Sequence, residues 1–154
     1  MGLMYTAVFS SVAVTAQQDL FELNAPATGV VYLHSLHLSQ STEAGDAAAE
    51  GLALLIKTGA TTSGSGGTTP TAVPNGTGWT AFGGTVEVNN TTKATAGTIV
   101  TRFSDNWYLP PAYMQIWTPE TRIRVAPSAR MTVELATTPA DSITMSGTIT
   151  FELV

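Results

Sequence analysis

The chain holds two imidazoles, His34 and His37. They stand three apart in Val30–Ser39, a stretch rich in β-branched and aromatic residues. Side chains alternate along a strand, so the two are expected on opposite faces, one partly buried and one exposed. Such a pair cannot grip one metal ion. Neither histidine has a serine or aspartate partner fixed by spacing, so a hydrolase triad has no support. Glu43, Asp46 and Glu50 gather three carboxylates, and Asp46 and Glu50 would share a face of a short helical turn. A calcium loop wants more oxygen ligands and a fixed pattern that is missing here, so solvated surface acids are the reading. A carboxylate-pair glycosidase is compatible with the composition. Among eleven acidic residues, however, pairs are inevitable. Gly64-Ser65-Gly66-Gly67 lacks the following Lys-Ser/Thr and the helix of a phosphate cradle, and reads as a flexible loop. No catalytic, cofactor-binding or metal-binding residue is assigned.

Aromatic residues are the more promising chemistry. Phe103, Trp107, Tyr108, Tyr113 and Trp117 fall close together around Ser104-Asp105-Asn106 and Pro110-Pro111. Rigid rings of this kind fill a core, anchor a protein interface, or stack on sugar faces. Tyr5, Phe9, Trp79, Phe82, Trp107, Tyr108, Tyr113 and Trp117 are the candidate protein-contact residues. Three acceptor patterns for N-glycosylation, at Asn75-Gly76-Thr77, Asn89-Asn90-Thr91 and Asn90-Thr91-Thr92, carry weight only behind a secretory leader. Leu3–Ala16 lacks the basic start of such a leader. Met1–Thr6 matches the short myristoylation pattern, but an ordinary N-terminal strand is the expectation.

The elements that position these residues follow from composition and period. The chain has 154 residues and no cysteine, which fits one domain, residues 1–154, without disulfides or thiolate metal sites. Charged residues make up 11%, against roughly 25% in ordinary globular chains, so the polar surface must be mostly Thr, Ser, Asn and Gly. Six basic residues and a net charge of −5 argue against a nucleic-acid partner, which needs clustered Lys and Arg. No apolar run reaches the ~20 residues of a membrane-spanning helix.

The last segment has the clearest period. Ile143, Met145, Gly147, Ile149, Phe151 and Leu153 share one parity, and Thr144, Ser146, Thr148, Thr150 and Glu152 the other, which gives a strand with one buried face. Arg130–Leu135 and Thr121–Val125 repeat the pattern. Further strands are predicted at Tyr5–Val14, Gln18–Leu23, Val30–Ser39, Leu52–Thr58, Thr85–Asn89 and Thr98–Phe103. Short strands at close spacing predict an all-β protein, a single antiparallel β-sandwich of the jelly-roll kind. Thr42–Glu50 is expected as at most one short helical turn. Thr58–Gly84 is predicted as one long Gly/Ser/Thr-rich loop, pinned at its far end by Trp79 and Phe82.

The order of several motifs carries a resemblance. Phe21–Thr28 leads into Val30–Ser39; Ser39-Gln40-Ser41, Ala44-Gly45-Asp46-Ala47 and Glu50 follow. After the Gly/Ser loop come Val86-Glu87-Val88-Asn89-Asn90-Thr91-Thr92, Pro119-Glu120, Ser128-Ala129-Arg130, Pro139-Ala140-Asp141 and Met145-Ser146-Gly147-Thr148. Over most of residues 20–153 this order resembles a group of small proteins of tailed phages and of bacterial genomes with phage-like regions. The nearest functional analogy is to capsid decoration, or cement, proteins, which are often β-sandwich trimers. The resemblance implies a non-enzymatic structural protein on the virion's capsid exterior. Its partners would be the major capsid protein and itself, as a homotrimer, with no cofactor. The alternatives are a carbohydrate-binding or receptor-binding tail module and a sandwich-fold enzyme using a carboxylate pair.

Overall fold

The computed structural model describes residues 2–43 and 49–154. Among the described residues, eleven strands form two antiparallel sheets. They are β1 Leu3–Val14, β2 Gln18–Asn24, β3 Val31–Gln40, β4 Gly51–Thr62, β5 Val73–Pro74, β6 Thr85–Asn90, β7 Thr95–Tyr108, β8 Tyr113–Ile116, β9 Ile123–Val125, β10 Arg130–Leu135 and β11 Ile143–Leu153. The first sheet runs β5-β1-β11-β3-β8, with β9 also on β3, and the second runs β6-β2-β10-β4-β7. Successive strands hop between sheets: β1 to β2, β3 to β4, β7 to β8, β10 to β11. With β5, β6 and β9 set aside, the orders β1-β11-β3-β8 and β2-β10-β4-β7 are the wrapped double Greek key of a jelly roll.

The predicted parities fill the space between the sheets. Ile143, Met145, Ile149 and Phe151 of β11 face Leu20, Phe21, Leu23, Leu54, Ile56, Met131 and Val133 of the second sheet within one buried cluster. Gly147 has a packing reason: a Cβ there would lie 2.5 Å from the Phe9 ring, so the missing side chain lets that ring lie against the strand. Phe9 in turn meets Phe21 of the other sheet, ring centroids 5.1 Å apart.

Two irregularities change the sides predicted from alternation. In β1, Phe9 pairs with Gly147 and Val12 with Met145, so Ser10 and Ser11 together oppose Ser146. This bulge moves the inward set from Tyr5, Ala7 and Phe9 to Val12 and Val14. In β3, Ser35 pairs with Thr150 while Leu33 pairs with Phe151, so His34 is an extra residue. Bulges of this kind break the alternation locally. Leu33, Leu36 and Leu38 all point inward, and His34 and His37 both stay half-buried on the outer face. The expectation of opposite faces is therefore wrong, because simple alternation ignores the inserted residue.

The long loop is also more ordered than its composition implies. Thr58–Thr62 extends β4 alongside β7. Ser65 bridges Thr92, and Thr68 bridges Val88 at the edge of the second sheet. The segment then crosses to the first sheet, where Val73–Pro74 pairs with Thr6 and Tyr5. One loop thus adds backbone pairing to the β6 and β1 edges, which would otherwise be open to unwanted strand addition. The proposed helical turn of Thr42–Glu50 falls largely on residues 44–48, outside the described residues. Beside it, Gln40 Oε1 accepts from the backbone N–H groups of Thr42 and Glu43, at 3.0 and 2.8 Å.

Candidate functional site: one covered face and one open face

The outer face of the second sheet is closed over by the chain itself across β2 and β10, while β7 stays exposed. Its strands carry eight charged residues: Asp19, Glu22, Lys57, Glu87, Arg102, Asp105, Arg130 and Glu134. Segments around Ser63–Thr68 and Thr91–Ala94 cover the β2–β10 part. Glu22 accepts from Ser63 Oγ at 2.7 Å, from the Gly64 N–H at 2.9 Å and from Asn90 Nδ2 at 3.0 Å. Arg130 Nε lies 2.5 Å from Glu22 Oε1. That contact is charge pairing without hydrogen-bond alignment, since Nε lacks a well-directed acceptor. Glu134 pairs with Lys57 and, at 2.9 Å, with Lys93. Burial alone would raise the Glu134 carboxyl, but the two lysines override it and hold it below the ordinary glutamate value. These carboxylates are satisfied by protein groups and act as structural clamps.

Asp19 is the exception in sign. It is buried, and its one strong partner is the Ala94 N–H at 2.8 Å. Burial pushes its carboxyl from 3.8 up to about 6, and Glu134 and Glu22 add to the rise against the Ala94 bond and Lys93. The folded chain therefore holds this proton more tightly than the unfolded chain. The associated stabilisation is complete below about pH 3.8 and lost as pH rises through about 6. Asp19→Asn keeps an acceptor for Ala94 without the buried charge. It is expected to stabilise the protein at pH 7.5 by about 2 kcal/mol, with the gain shrinking toward pH 4.5. Urea titrations at both pH values measure this, and an equal gain at both would remove Asp19 titration as the cause.

The outer face of the first sheet is different. Its strands carry two charged residues, Arg124 and Glu152, both toward one end. Strand register lays out the rest. One row reads Val73, Thr6, Thr150, Ser35, Ile116 across β5, β1, β11, β3 and β8. The next reads Val8, Thr148, His37, Met114 across four strands. At the usual strand spacing the longer row spans about 19 Å. Val8, Val73, Met114 and Ile116 are each more than half exposed, Met114 at 64% and Ile116 at 67%. The rows form a band of threonine, serine and histidine with apolar side chains at both margins. Glu152 closes one end, where its Oε2 accepts from Arg122 Nη1 at 2.8 Å beside His34 Nε2 at 3.3 Å.

Most of the aromatic contact candidates are placed inside the sandwich. Tyr5, Phe9, Phe82, Trp107, Tyr113 and Trp117 are buried in the core. Tyr5, Phe82 and Phe151 form one ring cluster with centroids 4.8–5.9 Å apart. Trp107 Nε1 donates to Pro111 O at 2.6 Å, and Tyr113 Oη donates to Asp105 Oδ2 at 2.9 Å. The Trp117 ring stands edge-on to Phe103. Tyr108 and Trp79 remain exposed, so an aromatic contact surface reduces to these two. The acid trio is not a solvated cluster either: Glu43 is buried, Glu50 Oε1 accepts from the Ala140 N–H at 2.6 Å, and Asp46 lies outside the described residues. Among the described residues, no three His, Asp or Glu side chains are grouped to hold a metal ion.

Sequence reasoning passed over Val8, Val73, Met114 and Ile116. For Val8 the signal was present, as an apolar residue on the outward parity of Tyr5–Phe9. Met114 and Ile116 were hidden because β8, between Pro110-Pro111 and Pro119, is only four residues long. The fold and its two faces define a jelly-roll β-sandwich with one partly self-covered and one open face. No protein-family model matches the chain, and no curated protein matches it.

Proposed function

We propose that this is a non-enzymatic structural protein of a phage virion, a decoration protein on the capsid exterior that clamps neighbouring major capsid protein subunits. The observation that carries the reading is the open face of the first sheet, nearly free of charge and margined by Val8, Val73, Met114 and Ile116. A surface of this composition sheds water at low cost, because few ionic groups need desolvation. The motif order and the jelly roll support the same reading, and trimeric assembly follows from the resemblance. A protein that binds only the assembled lattice stabilises that lattice by mass action, and many copies make the effect large. The sugar-platform alternative is weakened, since Trp107 and Trp117 pack in the core.

The test is a thermal DNA-release assay on particles stripped of this protein and then re-saturated with it. Added protein is expected to raise the release temperature. Met114→Asp combined with Ile116→Asp puts two charges on the open face at exposed positions. That variant is expected to keep its own unfolding midpoint within a few degrees yet lose particle binding at least tenfold, as hot-spot losses of about 2 kcal/mol or more imply. Identical release curves at saturating occupancy would end the decoration reading. Full binding by the doubly charged variant would remove this face from it.

A further inference from the structure

The six cationic residues divide in a way the sequence does not show. Lys57 and Lys93 pair with Glu134, Arg130 with Glu22, and Arg122 with Glu152. Arg102 and Arg124 have no acidic partner among the described residues. Arg102 makes one side-chain hydrogen bond, from Nε to Thr58 Oγ1 at 2.9 Å, and both residues are exposed. These two unpaired arginines line the same cleft, together with Thr121, Arg122 and Ile123, in a space of about 400 Å³. Arg122 adds a third guanidinium, whose buried Nε has no hydrogen-bond partner. In a chain of net charge −5, all the uncompensated positive side-chain charge therefore sits at one place.

The cleft also has a backbone component. It opens where the two sheets end on the same side of the sandwich. Arg102 belongs to β7, the last strand of the second sheet, and β9 pairs only with β3 in the first. The outer edges of β7 and β9 thus have unused N–H and C=O groups flanking the arginines. Guanidinium groups match carboxylates with paired, directional hydrogen bonds, and free strand edges accept an extended chain by strand addition. A free inorganic anion would use only the first of these features.

We propose that this cleft binds an acidic extended segment of a partner protein. Its carboxylates would engage Arg102 and Arg124, and its backbone would run along a free strand edge. The inference does not depend on the capsid reading. Left out of the ion-pair network, these arginines are free to meet an outside carboxylate.

The test is fluorescence anisotropy with a labelled peptide of alternating glutamate and valine. A lysine–valine peptide is the charge control and inorganic phosphate the competitor. Saturable binding of the acidic peptide is expected, weakening on going from about 0.01 M to about 0.15 M salt as screening increases. Arg102→Gln with Arg124→Gln is expected to weaken it at least tenfold while moving the thermal midpoint by no more than a few degrees, since both side chains are exposed and only the Arg102–Thr58 hydrogen bond is lost. Arg124→Lys, which keeps charge but loses the planar fork, should fall between. On the wild-type protein, amide resonances of β7 or β9 should shift on peptide addition. Absence of saturable binding, equal affinity in the double variant, or shifts confined to other strands would each overturn the proposal. Phosphate binding as tightly as the peptide would also overturn it, in favour of a small-anion site.

Discussion

Phe82→Ala is expected to lower the unfolding free energy by about 3–5 kcal/mol, the range for truncating a buried aromatic ring. The effect should be large because Phe82 does two jobs. Its ring is 4% exposed and completes the cluster with Tyr5 and Phe151, and it is the last apolar anchor before the chain re-enters the second sheet at Thr85. Loss of the ring leaves a cavity beside the Tyr5 and Phe151 rings and loosens the preceding segment. The Tyr5 Oη bond to Thr80 O, 3.0 Å long, should weaken with it. Two measurements separate these consequences. Denaturant titration reports the global loss, and limited proteolysis should show new cleavage within residues 63–84 under native conditions. Trp79→Ala is the contrast. Trp79 is 41% exposed and lies over Gly76, so its loss is expected to cost about 1 kcal/mol or less. Equal losses for the two would mean that the strap is not held by the core.

Arg130→Met should cost a similar amount, about 3–5 kcal/mol, by a different route. Glu22 is buried, and Arg130 is its cationic partner. Removing the guanidinium leaves a buried carboxylate with only the Ser63, Gly64 and Asn90 donors. Those donors belong to the segments that cover the second sheet, so the damage should spread to the cover. Combining Arg130→Met with Glu22→Gln removes both charges and keeps an acceptor for Gly64. The double variant is expected to regain more than half of the loss, and the difference from additivity measures the coupling. Additive losses would mean that the pair acts as two independent packing residues.

The open face and the covered face divide the chain's chemistry between them. Eight of the ten strand-borne charged residues lie on the second sheet, whose β2–β10 part the protein covers with its own segments, and the first sheet carries the other two. That arrangement suits a protein whose surface is finished by a neighbour: exposed Met114 and Ile116 cost little in isolation and contribute when buried. The arginine cleft lies at the sheet ends, so a contact on the open face and an extended contact at the cleft can be tested separately.

The all-β class, the inward sets of β10 and β11 and the scarcity of charge were determined by the sequence alone, because alternation and composition are local properties. Arg130–Leu135 was delimited to the residue, and the last strand needed only its parity and Gly147. What local pattern could not reach was decided between segments. Gln18, Asp19 and Glu22 have the polarity of surface residues, yet the whole of β2 from Gln18 to Leu23 is buried, because segments more than forty residues later fold across them. The side taken by His34 depended on a single inserted residue whose presence is defined only by the partner strand. The aromatic residues Trp107, Tyr113 and Trp117 had interface character by type, and the closing of two sheets put them inside. Which polar face would be covered, and which arginines would go unpaired, are consequences of long-range pairing. No period along the chain encodes them.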